Sequence, residues 1–122
     1  MNYRCLGSTQ LRLSEIGLGC ASYWGKEIFP ESEAMKIVHA AIDEGVTLFD
    51  TGHSYSEGNA EKRLGKALRE TRKYDMCVST KAGTRLGKKG RLFKDFSPQW
   101  IRESCMESLR NLHLDALPIF QL

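Results

Sequence analysis

The stretch Ala34-Met35-Lys36-Ile37-Val38-His39-Ala40-Ala41-Ile42-Asp43-Glu44-Gly45-Val46-Thr47-Leu48-Phe49-Asp50 changes its hydrophobic period once, at Gly45. Before it, Ala34, Ile37, Val38, Ala41 and Ile42 recur at offsets of three and four, which predicts a helix over 34–44 with one apolar face. Gly45 stops the helix, and the short apolar run 46–49 reads as a strand. A helix feeding a strand of this kind is half of a β/α repeat.

Working outward, the pattern recurs. Upstream, 16–19 reads as a strand, preceded by a hairpin in which 3–6 and 11–13 flank Gly7-Ser8-Thr9. Downstream, a helix over 60–69 carries Leu64, Ala67 and Leu68 on one face, with Asn59 as its expected cap. The run 76–80 is a third strand. A helix over 98–112 follows Ser97-Pro98, a cap with proline at the first helical position, and aligns Ile101, Cys105, Ser108, Leu109 and Leu112. A fourth apolar run spans 116–122, with Pro118 expected to remove one ladder donor. Strands joined through helices of this length are parallel, which leaves a doubly wound sheet or a (β/α)₈ barrel. The doubly wound nucleotide fold is marked by G-x-G-x-x-G after its first strand, and Gly17-Leu18-Gly19-Cys20-Ala21-Ser22 lacks it. The reading is therefore a partial α/β barrel. A whole barrel takes roughly 250 residues; residues 1–122 are expected to be the N-terminal portion of a single barrel domain, the hairpin plus about three and a half β/α units, ending within the fourth strand.

With 41% hydrophobic and 27% charged residues the composition suits a folded globular chain. A net charge of +3, with acids and bases interleaved, gives no footprint for nucleic acid. No apolar run approaches a membrane span, and the N-terminus lacks a basic flank with an apolar stretch, so a cytoplasmic protein without a membrane partner is expected. Cys5, Cys20, Cys77 and Cys105 have no ligand-like or framework spacing, so no metal is expected and four free thiols are, three as core fillers and Cys20 as a candidate site residue.

In a barrel, chemistry gathers where the C-terminal ends of the strands meet. Asp50 follows the run 46–49, Lys81 follows 77–80, and Tyr55 lies in the loop 51–59 just beyond Asp50. Together they suit proton donation to a carbonyl under hydride attack. A free phenol has a pKa near 10, so its anion needs roughly 4 kcal/mol of help at neutral pH. An ammonium at about 4 Å in an effective dielectric near 20 contributes that much. Lys81 is the candidate helper, and Asp50 the carboxylate that keeps it charged and oriented.

The stretch from Phe49-Asp50-Thr51-Gly52 through Tyr55 and Gly58 to Glu61, Leu64-Gly65 and Ala67-Leu68 resembles the aldo-keto reductase signature, FDTA-x-x-Y-x-x-G followed by E-x-x-LG-x-AL. Ser79-Thr80-Lys81, Ile16-Gly17-Leu18-Gly19, and Ser104 to Leu112 with Leu114-Asp115 are similar to further family segments, in order over almost the whole chain. The resemblance implies an NADP-dependent oxidoreductase, NAD being the alternative, that reduces aldehydes or ketones, with a small carbonyl or sugar-like substrate. It implies Tyr55 as proton donor, Lys81 as its partner and Asp50 as the lysine's counter-charge. Gly19, Cys20, Ala21, Thr51 and Asp50 would form the first part of the cofactor site, and Trp24 with Tyr23 an aromatic wall of the substrate pocket. Gly52 departs from the family's usual alanine. The family's histidine after Gln121-Leu122 and its later cofactor-gripping segments lie outside these residues, so the 122-residue chain by itself is expected to be inactive. A cofactor-sensing binding subunit of the same fold is the alternative function.

Two further features bear on partners. The basic run Arg85, Lys88, Lys89, Arg91, Lys94 reads as a solvated loop or an attractor of a phosphorylated ligand. Open edges on the first and fourth strands favour self-association. His39 and His113 read as structural and His53 as a loop residue.

Overall fold

The computed structural model describes residues 1–71, 75–87 and 90–122. Its centre is a four-stranded sheet of β3 (Gly17–Gly19), β4 (Leu48–Asp50), β5 (Cys77–Lys81) and β8 (Ile119–Gln121), every neighbouring pair parallel and in chain order. An order that never reverses is that of a growing barrel wall. A doubly wound sheet would reverse it. Helices α1 (Glu31–Asp43), α2 (Asn59–Glu70) and α3 (Pro98–Leu112) provide the crossovers, and α2 packs against both others.

The helices cover one face. Phe49 and Val78 are paired in register and buried there with Val38, Ile42, Leu64, Ala67 and Leu112. Gly65 is why α2 and α3 lie so close: a Cβ on it would stand 2.6 Å from the Asn111 carbonyl oxygen and 2.7 Å from Leu112 Cα. Among the described residues, no helix is long and apolar enough to cross a membrane.

Several boundaries differ from the sequence reading, each for a local reason. Helix α1 begins at Glu31, before its apolar stripe, because Glu31 and Glu33 in the first turn complement the helix dipole and Glu31 pairs with Lys66. Asn59 does not cap α2. Gly58, at φ 85°, takes the cap position, and the Asn59 side chain instead donates to the Gly25 carbonyl at 2.6 Å. Ser97 does cap α3, accepting from the Trp100 amide at 3.3 Å. Pro118 costs no ladder bond, since β8 starts one residue after it.

Strands β1 (Tyr3–Cys5) and β2 (Arg12–Ser14) form the expected N-terminal hairpin, with Gly7 at φ 54° in its turn. It docks at the N-terminal end of the sheet: the Ser14 and Thr47 hydroxyls each accept from the other's amide at 2.9 Å, and Tyr3 donates to the Gly45 carbonyl. A second hairpin, β6 (Thr84–Leu86) with β7 (Leu92–Lys94), occupies part of what reads in sequence as a basic loop. Lys88 and Lys89 of that run lie outside the described residues.

Substituting Gly65→Ala is expected to force α2 and α3 apart and lower stability by about 2 kcal/mol. Urea unfolding followed by circular dichroism measures it, and an unchanged midpoint would contradict the close approach.

Candidate active site

Parallel pairing sets the geometry. Asp50 stands opposite Ser79, and Lys81 is two residues further along β5, so all three side chains leave the same face of the sheet. Lys81 Nζ reaches across to Asp50 Oδ2 at 2.5 Å and donates to the Thr51 carbonyl at 2.8 Å. It also lies 5.4 Å from the centroid of the Tyr55 ring. Phenol, ammonium and carboxylate therefore meet at the C-terminal ends of β4 and β5. Gln121, opposite Lys81 in register, donates to Ser79 Oγ and to Asp50 Oδ1, extending the polar row to β8.

Tyr55 is held by its loop. The Tyr55 amide donates to the Gly52 carbonyl at 3.0 Å, and the His53 amide to the Lys81 carbonyl at 2.9 Å, which ties the loop to β5. The backbone then turns left-handed at Ser56, Glu57 and Gly58, with φ of 50°, 56° and 85°. Two successive non-glycine residues in that region cost roughly 1–2 kcal/mol each, a strain of the kind found where a side chain must be aimed. A Cβ on Gly52 would lie 3.1 Å from the Tyr55 ring, so this glycine lets the phenol settle against the backbone.

Behind the site is a polar network that the sequence did not single out as such. Glu61 is wholly buried, and its carboxylate accepts from the Thr80 hydroxyl at 2.7 Å and from Asn111 Nδ2 at 3.0 Å. It thus joins α2, β5 and α3 one residue away from Lys81. The glutamate of the E-x-x-LG pattern was the available signal, and its role here is positional. His53 is likewise more than a loop residue: it is buried, bonds Glu107 Oε2 at 2.8 Å and meets Trp100 edge-on.

The remaining expected site residues divide. Gly19 and Asp50 are accessible, Ala21 is half-buried, and a side chain on Gly19 would meet nothing within 4 Å, so the backbone there is open to a ligand. Cys20 and Thr51 have no exposed surface, which removes them from direct ligand contact. Their groups are used internally: the Cys20 amide donates to the Asp50 carbonyl at 2.7 Å, and the Thr51 hydroxyl to the Cys20 carbonyl at 3.0 Å. Burial, reinforced by the nearby Asp50 charge, pushes the Cys20 thiol up to about 12. Of the thiols expected as core fillers, Cys77 is buried, Cys105 half-buried and Cys5 exposed; none forms a disulfide. Trp24, expected in the wall of the substrate pocket, lies elsewhere. It sits in the core, 8% exposed, with its indole N–H on the Ala34 carbonyl, because the turn at Ser22–Gly25 folds it inward. Tyr23 stays exposed and packs edge-on against Phe29.

Two clefts flank the strands. One of about 650 Å³ is lined by Tyr55 with Ala21, Thr84, Leu92, Lys26 and Lys94. Another of about 640 Å³ lies at the opposite end, between the N-terminal hairpin and the starts of β4 and β5, away from the trio. The first is the relevant one, because it alone of the two touches a member of the trio. No group of His, Cys, Asp and Glu among the described residues is arranged to hold a metal.

The trio thus stands at the C-terminal rim of a parallel strand wall. The Aldo/keto reductase family model matches residues 15–122, and the chain belongs to that family. It is 36% identical, over its whole length and 39% of the relative's, to the oxidoreductase YqkF of Bacillus subtilis. Among solved structures, the holo form of aldo-keto reductase AKR11C1 from Bacillus halodurans superposes with a TM-score of 0.87 at 35% identity, over 100% of this chain and 40% of that one. Glycerol dehydrogenase AKR11B4 from Gluconobacter oxydans gives 0.84 at 30% identity, over 94% and 37%. The chain thus spans about two-fifths of the length of these relatives.

Because the Cys20 thiol stays protonated in the fold up to about 12 and ionises near 9.0 when exposed, it favours the folded state fully below pH 9 and less as pH rises from there toward 12. The stability of Cys20→Ala is expected to fall less steeply over that range, as read from chemical denaturation at several pH values. Iodoacetamide at pH 8 should label Cys5 and spare Cys20, a difference that mass spectrometry resolves.

Proposed function

We propose that these residues carry the proton-transfer machinery of an NAD(P)H-dependent reductase of aldehydes or ketones, working equally in the direction of alcohol oxidation. The observation that carries this reading is the Lys81 ammonium set between the Asp50 carboxylate and the Tyr55 ring. Tyr55 donates its hydroxyl proton to the carbonyl oxygen as the carbonyl is reduced. Lys81 stabilises the phenolate left behind by direct Coulomb attraction. Asp50 and the Thr51 carbonyl hold that ammonium in place, so the charge is already oriented before substrate arrives.

The nicotinamide cofactor supplies the hydride when bound. Gly19, Ala21 and Asp50 would hold the part of it nearest these strands, and NADP is preferred to NAD on family resemblance. A glycerol dehydrogenase among the similar structures supports alcohol–carbonyl chemistry on small polar molecules. The outer edges of β3 and β8, which end the sheet, support self-association or pairing with further strands.

The test is a chimaera in which residues 1–122 replace the equivalent segment of a complete barrel relative. It should oxidise NADPH with a panel of aldehydes, and Tyr55→Phe should lower kcat by 10²–10⁴, on the order of general acid catalysis. Full retention of turnover by Tyr55→Phe would overturn the assignment. Lys81→Met should lower kcat similarly.

A further inference from the structure

We infer that the cleft beside Tyr55 selects carbonyl compounds bearing an anionic group, a carboxylate or phosphate, held by Lys26 and Lys94; this rests on reading Tyr55 as the proton donor. The two lysines approach the cleft from different elements. Lys26 follows the turn after β3, and Lys94 ends β7. Their convergence on Tyr55 is a product of the fold, since 68 residues of chain separate them in number (94 less 26).

The cleft's charge is one-sided. Its walls include Ala21, Leu92 and Tyr55, and among the described residues no Asp or Glu lines it; Glu57 and Glu107 line the adjoining cleft that shares Ser54, Thr84 and Leu92. Among the described residues no carboxylate pairs with either lysine. Lys94 donates one hydrogen bond to Thr84 Oγ1 at 3.0 Å, which steadies it across the hairpin and leaves two donors for a ligand. Asp50, the one carboxylate of the trio, is already occupied by Lys81.

Another member of the basic run behaves differently. Arg85 is held by Asp95 at 3.1 Å and lies over the Trp100 ring, 4.6 Å from its centroid, so it is committed to structure. The hairpin therefore presents Lys94 to the cleft from the run that in sequence reads as a solvated loop or an attractor of a phosphorylated ligand. A cleft of about 650 Å³ suits a small molecule, with an apolar wall for its carbon skeleton and an ammonium pair for its charged end. Both lysines are exposed residues, so the attraction is modest and sensitive to salt.

Binding, measured by isothermal titration calorimetry at low ionic strength on the chimaera that carries residues 1–122 within a complete barrel, separates this from catalysis. 4-Carboxybenzaldehyde is expected to bind about tenfold more tightly than benzaldehyde, in keeping with two exposed ion pairs. Lys26→Gln combined with Lys94→Gln should bring the two within about twofold, while Lys36→Gln, on helix α1 and paired with Glu33, keeps the tenfold ratio. Equal affinities in the unaltered chimaera, or an undiminished ratio in the double variant, would overturn the proposal. So would a double variant that loses NADP⁺ affinity at constant aldehyde ratio, since the lysines would then serve a cofactor phosphate. A Tyr55→Phe chimaera that reduces carbonyls normally would remove the role of Tyr55 and leave the measured preference standing, so the two readings fail separately.

Discussion

A lysine reaching across two parallel strands to a carboxylate is the contact on which the site depends. The register places Asp50 opposite Ser79, and the long arm of Lys81 spans the offset to meet it. A parallel pair keeps side chains in rows on one face, so a polar row at the strand ends continues through Ser79 to Gln121. Slipping β5 by one residue would turn Lys81 toward the helices, where Val78 and Phe49 are packed, and the ammonium would have neither counter-charge nor phenol.

That register is defended from the helix side. Thr80 points opposite to Lys81 and gives its hydroxyl to the buried Glu61, whose other oxygen is held by Asn111. A buried carboxylate with its hydrogen bonds satisfied tolerates little displacement, because any slip leaves charge unpaired in a region of low polarity. The same two helices meet at Gly65, where backbone rests nearly on backbone. The recurrent pattern through residues 61–68 is thus a clamp on β5 more than a set of ligand contacts.

Much of this was legible in the sequence, and the reasons are physical. Ala34, Val38 and Ile42 on one helix, Leu112 on another and the strand run 77–80 are buried as their pattern implies, although Ile37 of the first stripe is exposed, so the alternation of strand and helix, the parallel sheet and the convergence of Asp50, Tyr55 and Lys81 could be read. What escaped depended on contacts between distant segments. Strands β6 and β7 are short, exposed and basic, so no hydrophobic period marks them. Trp24 looked like a pocket aromatic because its inward turn is fixed by the Ala34 carbonyl on another element. Cys20 and Thr51 sit next to site residues in sequence, yet strand-end hydrogen bonds bury them completely.

The unreversed strand order has a consequence for how the chain acquires its shape. Each strand pairs with the one made just before it, so on a ribosome every newly emerged β/α unit finds its neighbour already present and waits for nothing downstream. The N-terminal hairpin is the exception: its anchors, Thr47 and Gly45, lie just before β4, so it can close off its end of the sheet only once that segment has emerged. Synthesis and assembly can therefore advance in step, from the first strand outward.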